Sequence, residues 1–314
     1  MKKAMTSTTA PATGLRRNPT LVALAMIFGY AAIIGFTDNY VRVIALDTGL
    51  AQFHVTRSIM ALAMLVVAAR TIGMRLAPVN MRAVVARSLI HGLGIMVYFG
   101  CLAFLSVAEA AAGLFTAPIF VLIISRFVYG IHIGPFRILA VLVGFLGVML
   151  VLGITPGATV GPAMLLPIVA GVFYAMGNIA TRQWCADESA ATLICGFFAA
   201  LGLLGLIGMI VLGVWHPLVP VGQDGFILRG PVWPSGRFLF WVFVQAFGSL
   251  VAVWAMVRAY QVAEASRVAV FEYLILPASA FWTYAIWGQE LGAVQLVGMV
   301  LIFIAGAIIA LRSR

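Results

Sequence analysis

A carboxylate inside an apolar run carries the most informative chemistry in this chain. Glu272 lies seven residues into a run opening at Ala265. On a helix spanning a membrane, that is about 10 Å deep. A carboxylate there costs several kcal/mol unless it is paired or protonated. Such a group can neutralise a substrate ammonium, carry a coupling proton or form a structural pair with an arginine. Asp38 is a second candidate for coupling. Arg42 follows it by four residues, a spacing that suits a local salt bridge on a helix. His91, near the start of another run, is either a proton-linked group or a hydrogen-bonded interfacial histidine. The amides of Asn39 and Asn178 hold similar positions in their runs, and each can bind a substrate carboxylate or bridge two helices.

Rings and prolines complete the set of candidate residues. Tyr98, Tyr174, Trp254, Phe271, Tyr273, Trp282 and Tyr284 stand deep enough to build a substrate-binding pocket that stacks on a flat ring and offers hydroxyls. Packing against lipid is the alternative for each. Tyr98 and Trp254 form the preferred pair because they stand in repeat-related runs. Pro118 and Pro277 each interrupt an apolar run. A mid-helix proline removes one hydrogen bond and clashes with the preceding turn. The freed carbonyl needs a partner, which a water-lined cavity can supply. The two prolines are therefore either flexible gating points along a path or passive kinks.

Other chemistries lack their signatures. His54, His91, His132 and His216 show no metal-ligand spacing, and neither a phosphate-binding GxxxxGK[ST] loop nor a GxSxG elbow occurs. After Lys3 the chain has no lysine, which excludes a Schiff base in the membrane. Cys101, Cys185 and Cys195 form no CxxC pair. No metal, no cofactor and no enzymatic activity are expected.

The elements that position these residues are membrane helices. Of 314 residues, 64% are hydrophobic and 9% charged, with mean hydropathy +1.13. Soluble domains carry about 25% charged residues. Runs of roughly 20 apolar residues predict an all-α integral membrane protein. The predicted spans are 21–41, 53–69, 84–104, 107–127, 137–154, 163–182, 191–214, 238–260, 265–287 and 293–311. Residues 1–20 read as a disordered cytoplasmic tail. The net charge of +10 is spread between spans rather than clustered, so no nucleic-acid partner is expected.

The chain repeats itself. Val107-Ala108-Glu109-Ala110 recurs as Val262-Ala263-Glu264-Ala265, each time before a proline-broken span. Both glutamates read as helix caps. Two halves, 21–154 and 163–311, hold five spans each. An odd number forces the second half to enter from the opposite side, giving an inverted repeat. With the N-terminus in the cytoplasm, fifteen Lys and Arg lie inside and four (Arg42, Arg57, Arg229 and Arg237) outside. This positive-inside bias places both termini in the cytoplasm.

Pro277, Gly288, Gln295, Gly298 and Gly306, echoed in the first half by Pro118, Gly130, Arg137 and Gly147, carry a resemblance. Together with Arg57 they resemble the drug/metabolite transporter superfamily, ten-span EamA type, and the aromatic amino acid exporter branch in particular. The sequence departs from that pattern at Leu276, where the family often has Glu, and at Gln289, where the acidic residue falls one position later. The resemblance implies alternating-access export of small, aromatic or apolar amino acids and metabolites. Multidrug or isoprenoid-lipid-carrier transport on the same fold is the alternative, and an integral-membrane enzyme a more distant one. A monomer in the bacterial plasma membrane, with the lipid bilayer as its surroundings and a small molecule as its substrate, is the accompanying expectation.

Overall fold

The structure is a computed structural model that describes residues 18–101, 107–154 and 165–312. Nearly all of the predicted tail lies outside the described residues, as do Ser106 and the side chain of Glu109, so the first predicted cap does too.

Helix starts follow from short polar residues placed before apolar runs. Asn18 caps α1 (Pro19–Asp38), accepting the Thr20 amide at 3.0 Å, with Pro19 in the first turn. Next come α2 (Val41–Asp47), α3 (Leu50–Ile72) and α4 (Met81–Cys101). They are followed by α5 (Val107–Leu114), α6 (Ala117–Phe127), α7 (Pro135–Val151) and α8 (Leu165–Gln183). Ser189 caps α9 (Ala190–Trp215) and Ser235 caps α10 (Gly236–Val262) through hydroxyls that accept backbone amides. The chain closes with α11 (Ala265–Phe271), a 3₁₀ turn (Glu272–Leu274), α12 (Ile275–Trp287) and α13 (Ala293–Leu311). Gly130 and Gly288 both adopt φ 65°, which a side chain would strain.

Among the described residues, nine helical stretches are long and apolar enough to cross a membrane, and α7 is a shorter apolar helix of the same character. Among the described residues each of the ten predicted spans is helical over most of its length, with boundaries shifted by a few residues. The first departs most. α1 stops at Asp38 and the chain turns at Asn39 and Tyr40 before α2. That turn breaks the i,i+4 register, and the predicted Asp38–Arg42 pair does not form. The Arg42 guanidinium lies 3.6 Å over the Trp287 ring, and Asp38 accepts a hydrogen bond from Gln245 at 3.0 Å.

Helix packing reflects the duplication. α1 packs on α10 as α8 packs on α4, and α1 packs on α11 and α12 as α8 packs on α5 and α6. α3 meets α9, and α7 meets α13, each helix pairing with its own equivalent. Glycines permit the closest crossings. A Cβ on Gly147 would stand 2.6 Å from the Gly298 carbonyl, and one on Gly298 would stand 2.7 Å from that of Gly147. Close backbone approach is how membrane helices associate without a hydrophobic drive.

Both proline-broken spans are real discontinuities. In the first half the helix opens at Phe115 and Thr116, just before Pro118. In the second, the 3₁₀ turn at Glu272–Leu274 precedes Pro277. Each proline lacks the amide that would bond the carbonyl four residues back, here Leu114 or Tyr273. Both prolines are buried.

The two chain ends lie at one end of the bundle, hereafter proximal. Arg267 donates to Thr20 at the start of α1, and Arg312 shares a pocket with Arg137 and Arg267. The opposite end is distal.

Candidate functional site

The helix break in the second half presents Glu272 to the middle of the bundle. The 3₁₀ turn there rotates successive side chains apart. Phe271 and Tyr273 face α13 and α7, close to Gly306 and Gly144 respectively. Glu272, between them, points toward α8 and α10. The Tyr260 hydroxyl on α10 donates to Glu272 Oε1 at 2.5 Å, and Asn178 Nδ2 on α8 donates to the same oxygen at 3.1 Å. Asn178 also donates to the Tyr260 oxygen at 3.1 Å. The Tyr174 hydroxyl neighbours the carboxylate, and that of Tyr30 lies against Tyr174. Tyr30, Tyr174, Asn178, Tyr260 and Glu272 are all buried. Among the described residues no cation forms an ion pair with Glu272. The cluster is therefore one carboxylate held by neutral donors, with rings on several sides.

His91 joins this neighbourhood rather than an interface. α4 begins three residues earlier than predicted, which carries His91 to mid-helix with 1% exposure. Its ring sits 4.7 Å from that of Tyr174 and 5.3 Å from that of Phe197. One turn earlier, Arg87 is fully buried, donating from Nε to Thr181 Oγ1 at 2.9 Å and from Nη1 to the Leu193 carbonyl at 3.3 Å.

Toward the distal end lies a second polar group. Asp38 is exposed, bonded to Gln245, which in turn accepts from Ser249 at 3.3 Å. Arg57 acts on Asp38 through space and stands between the rings of Phe53 and Phe198, 5.0 and 5.8 Å from its guanidinium carbon. The sequence reading counted Arg57 and Arg87 among loop anchors, but both are buried in the bundle. Removing them leaves fourteen basic residues against three, so the asymmetry stands.

The remaining candidates separate. Tyr98, half-buried, packs on Phe99 with ring centroids 5.1 Å apart. Trp254 is 45% exposed and continues an outward stripe of Phe240, Phe243, Phe247 and Val251 on α10. That stripe is the face opposite Gln245, Ser249 and Tyr260, so the preferred Tyr98–Trp254 pair is not brought together on one face. Tyr284 is likewise 57% exposed. Trp282 donates to the Ala32 carbonyl at 2.9 Å and meets the Phe36 ring edge-on. Asn39 and Asn178 do not occupy equivalent depths. Asn39, past the end of α1, bonds Ser279 and Thr283 on α12, whereas Asn178 lies within α8.

The proximal end is held by polar contacts. Glu264 stands at the N-cap of α11 but makes no capping bond. Its carboxylate instead pairs with Arg137 at the start of α7 and lies 3.7 Å from Arg267. The predicted cap thus serves as a tie between α7 and α11, because Arg137 reaches it across the helix interface. Nearby, Glu188 accepts the backbone amides of Val79 and Asn80 at 2.8 and 2.6 Å, and Gln261 donates to the Glu188 carbonyl. Tyr30, Tyr260, Arg87 and Glu188 were missed by sequence reasoning. For Tyr260, Arg87 and Glu188 the available signal was polarity near span ends, which reads equally as interfacial anchoring; Tyr30 stands in mid-span, where a lone tyrosine reads equally as lipid-facing.

Known proteins resemble this architecture. Residues 21–153 match the EamA-like transporter family. The riboflavin transporter of Rhizobium johnstonii is 25% identical over 224 residues, which cover 71% of this chain and 68% of that protein. The S-adenosylmethionine uptake transporter of Rickettsia prowazekii is 25% identical over 211 residues, 65% of each chain. The pseudopaline exporter CntI of Pseudomonas aeruginosa is 22% identical over 236 residues, covering 75% of this chain and 77% of the relative. One solved crystal structure shares the fold with a TM-score of 0.76 at 18% identity, over 94% of this chain and 99% of its own. The three relatives are named for different cargoes and for both directions of movement, and none for an aromatic amino acid. The chain is thus similar to EamA-like transporters over residues 21–153 and, at lower identity, to curated multi-pass transporters over about two thirds to three quarters of its length.

Proposed function

We propose that this protein exports small amino acids and related metabolites, aromatic or apolar ones above all, by alternating access to a site at Glu272. The observation that carries the reading is the buried carboxylate held by Tyr260 and Asn178 with no cation partner among the described residues. A buried charge of this kind is stable only when something neutralises it. A substrate ammonium does so during transport, and a proton does so when the site is empty. Exchange of one for the other couples export to proton entry. The rings of Tyr30, Tyr174 and Tyr260 provide a surface for a flat side chain. Relatives named for riboflavin and S-adenosylmethionine, both ring-bearing molecules, agree with such a surface.

The two ends of the bundle support alternation. Asp38 is exposed at the distal end, while Arg137, Glu264 and Arg267 tie the proximal end together. This arrangement reads as open distally and closed proximally. The bias of basic residues assigns the proximal end to the cytoplasm, and the bacterial sources of the relatives fit a plasma membrane. Pro118 and Pro277 give each half a helix that bends without losing a full ladder of hydrogen bonds. The two halves move as repeats around the site, and one chain contains the whole path, so a monomer suffices.

The test is flux in proteoliposomes containing this protein alone, with and without a pH gradient. Labelled phenylalanine and tryptophan should move saturably and respond to the gradient, while lysine and glutamate should not move. If no amino acid moves in folded protein, the reading fails, and lipophilic drugs or isoprenoid lipid carriers become the cargo to try on the same fold.

A further inference from the structure

A cavity of about 240 Å³ opens at the proximal end between α7 and α13, away from Glu272. Three guanidinium groups line it, from Arg137, Arg267 and Arg312, together with His132, Gly134 and Phe136. Among the described residues one acid, Glu264, pairs with Arg137 and Arg267, so three guanidinium groups face one carboxylate there. Arg312 is exposed, forms no ion pair among the described residues and stacks 4.3 Å from the Phe136 ring. The N-terminus of α7, with Gly134 at its cap and Pro135 in the first turn, adds the positive end of a helix dipole.

We propose that this cavity binds the phosphate of an anionic phospholipid. Charge calls for an anion, and the adjoining surface selects a lipid over a free ion. Directly beyond the cavity, α7 exposes Phe136, Leu139 and Leu142, and α13 exposes Val300, Phe303 and Ile304. Acyl chains attached to a phosphate in the cavity run along this apolar face without leaving the bilayer. Basic pockets between membrane helices recognise acidic headgroups in this way. Arg137 is shared, because it also holds Glu264 in the proximal tie.

Native mass spectrometry of the full chain, released from mild detergent, tests the site with three probes: dioleoylphosphatidylglycerol, dioleoylphosphatidylcholine and inorganic phosphate. Phosphatidylglycerol should bind at least ten-fold more tightly than phosphatidylcholine. Arg312→Gln should weaken phosphatidylglycerol binding about five-fold, the share of one arginine near an anionic surface, and Arg312→Lys should restore most of it. Arg312 is exposed, so an unchanged melting temperature in phosphatidylcholine will show the variants folded. Equal binding of the two lipids overturns the proposal, as does an Arg312→Gln variant that binds phosphatidylglycerol as the wild type does. Displacement of phosphatidylglycerol by inorganic phosphate at equal concentration also overturns it, leaving a free-anion site.

Discussion

Replacing Glu272 with glutamine separates the stability of the buried cluster from its use. Glutamine keeps a carbonyl oxygen where Oε1 accepts from Tyr260 and Asn178, 2.5 and 3.1 Å away. Both bonds survive in neutral form, each weaker by roughly 1 kcal/mol than its charge-assisted counterpart. In the empty protein the wild-type carboxyl is itself neutralised by a proton, so the substitution removes no charge there. The net change in folding stability should therefore stay within about 2 kcal/mol. Transport is affected differently. Removing one partner of a buried charge pair costs about 3–5 kcal/mol, which is on the order of a hundred- to several thousand-fold in affinity for a substrate ammonium. The assay is efflux of labelled phenylalanine from proteoliposomes across a range of pH, with KM and maximal rate resolved separately. Glu272→Gln should raise KM by about two orders of magnitude and flatten the response to a pH gradient. Glu272→Asp, which retains the charge on a shorter arm, should fall between the two. A Glu272→Gln protein that melts normally and transports within three-fold of the wild type, with the same pH response, would refute the argument.

Two further outcomes follow from the packing. Reversing one charge, as Arg137→Glu or Glu264→Arg, should loosen the proximal end; in a Cys101→Ser, Cys195→Ser background, alkylation of the buried Cys185 should then accelerate, and the double reversal should slow it again. At the α7–α13 crossing, Gly147→Leu forces side-chain carbon toward the Gly298 carbonyl and the Ile302 side chain, 2.6 and 2.9 Å from the new Cβ. Overpacking of this kind costs roughly 1–3 kcal/mol or more, read as a lowered melting temperature. Gly306→Ala is the contrast, because the nearest atom to its Cβ is Phe271 Cδ1 at 4.0 Å, and it should melt as the wild type does.

Much of the architecture was legible because membrane helices are specified locally. A segment either carries about 20 apolar residues or it does not, and a proline breaks a helix wherever it stands. Spans, the duplicated halves and both helix breaks therefore appear in the sequence. The same logic singled out Glu272, since a lone carboxylate within an apolar run is costly in any arrangement. Gly147 and Gly298, two of the residues that carry the family resemblance, both lie where two backbones nearly touch.

What the chain could not announce was which way each side chain faces. Helices that are apolar all round carry no sequence stripe to tell lipid from core, so Trp254 and Tyr174 looked alike. Only the packing of α10 and α8 put Trp254 on an outward stripe and Tyr174 beside the carboxylate. Arg87 and Glu264 show the same limit. The packing of α8 and α9 on α4 turned an arginine near a span end into a buried one, and the approach of α7 turned a helix cap into an ion pair. Hydropathy marked ten apolar segments as candidate membrane spans. Long-range contact decided which polar groups meet inside it, because partners 82 to 127 residues apart, such as Asn178 and Tyr260 or Arg137 and Glu264, share no local signal.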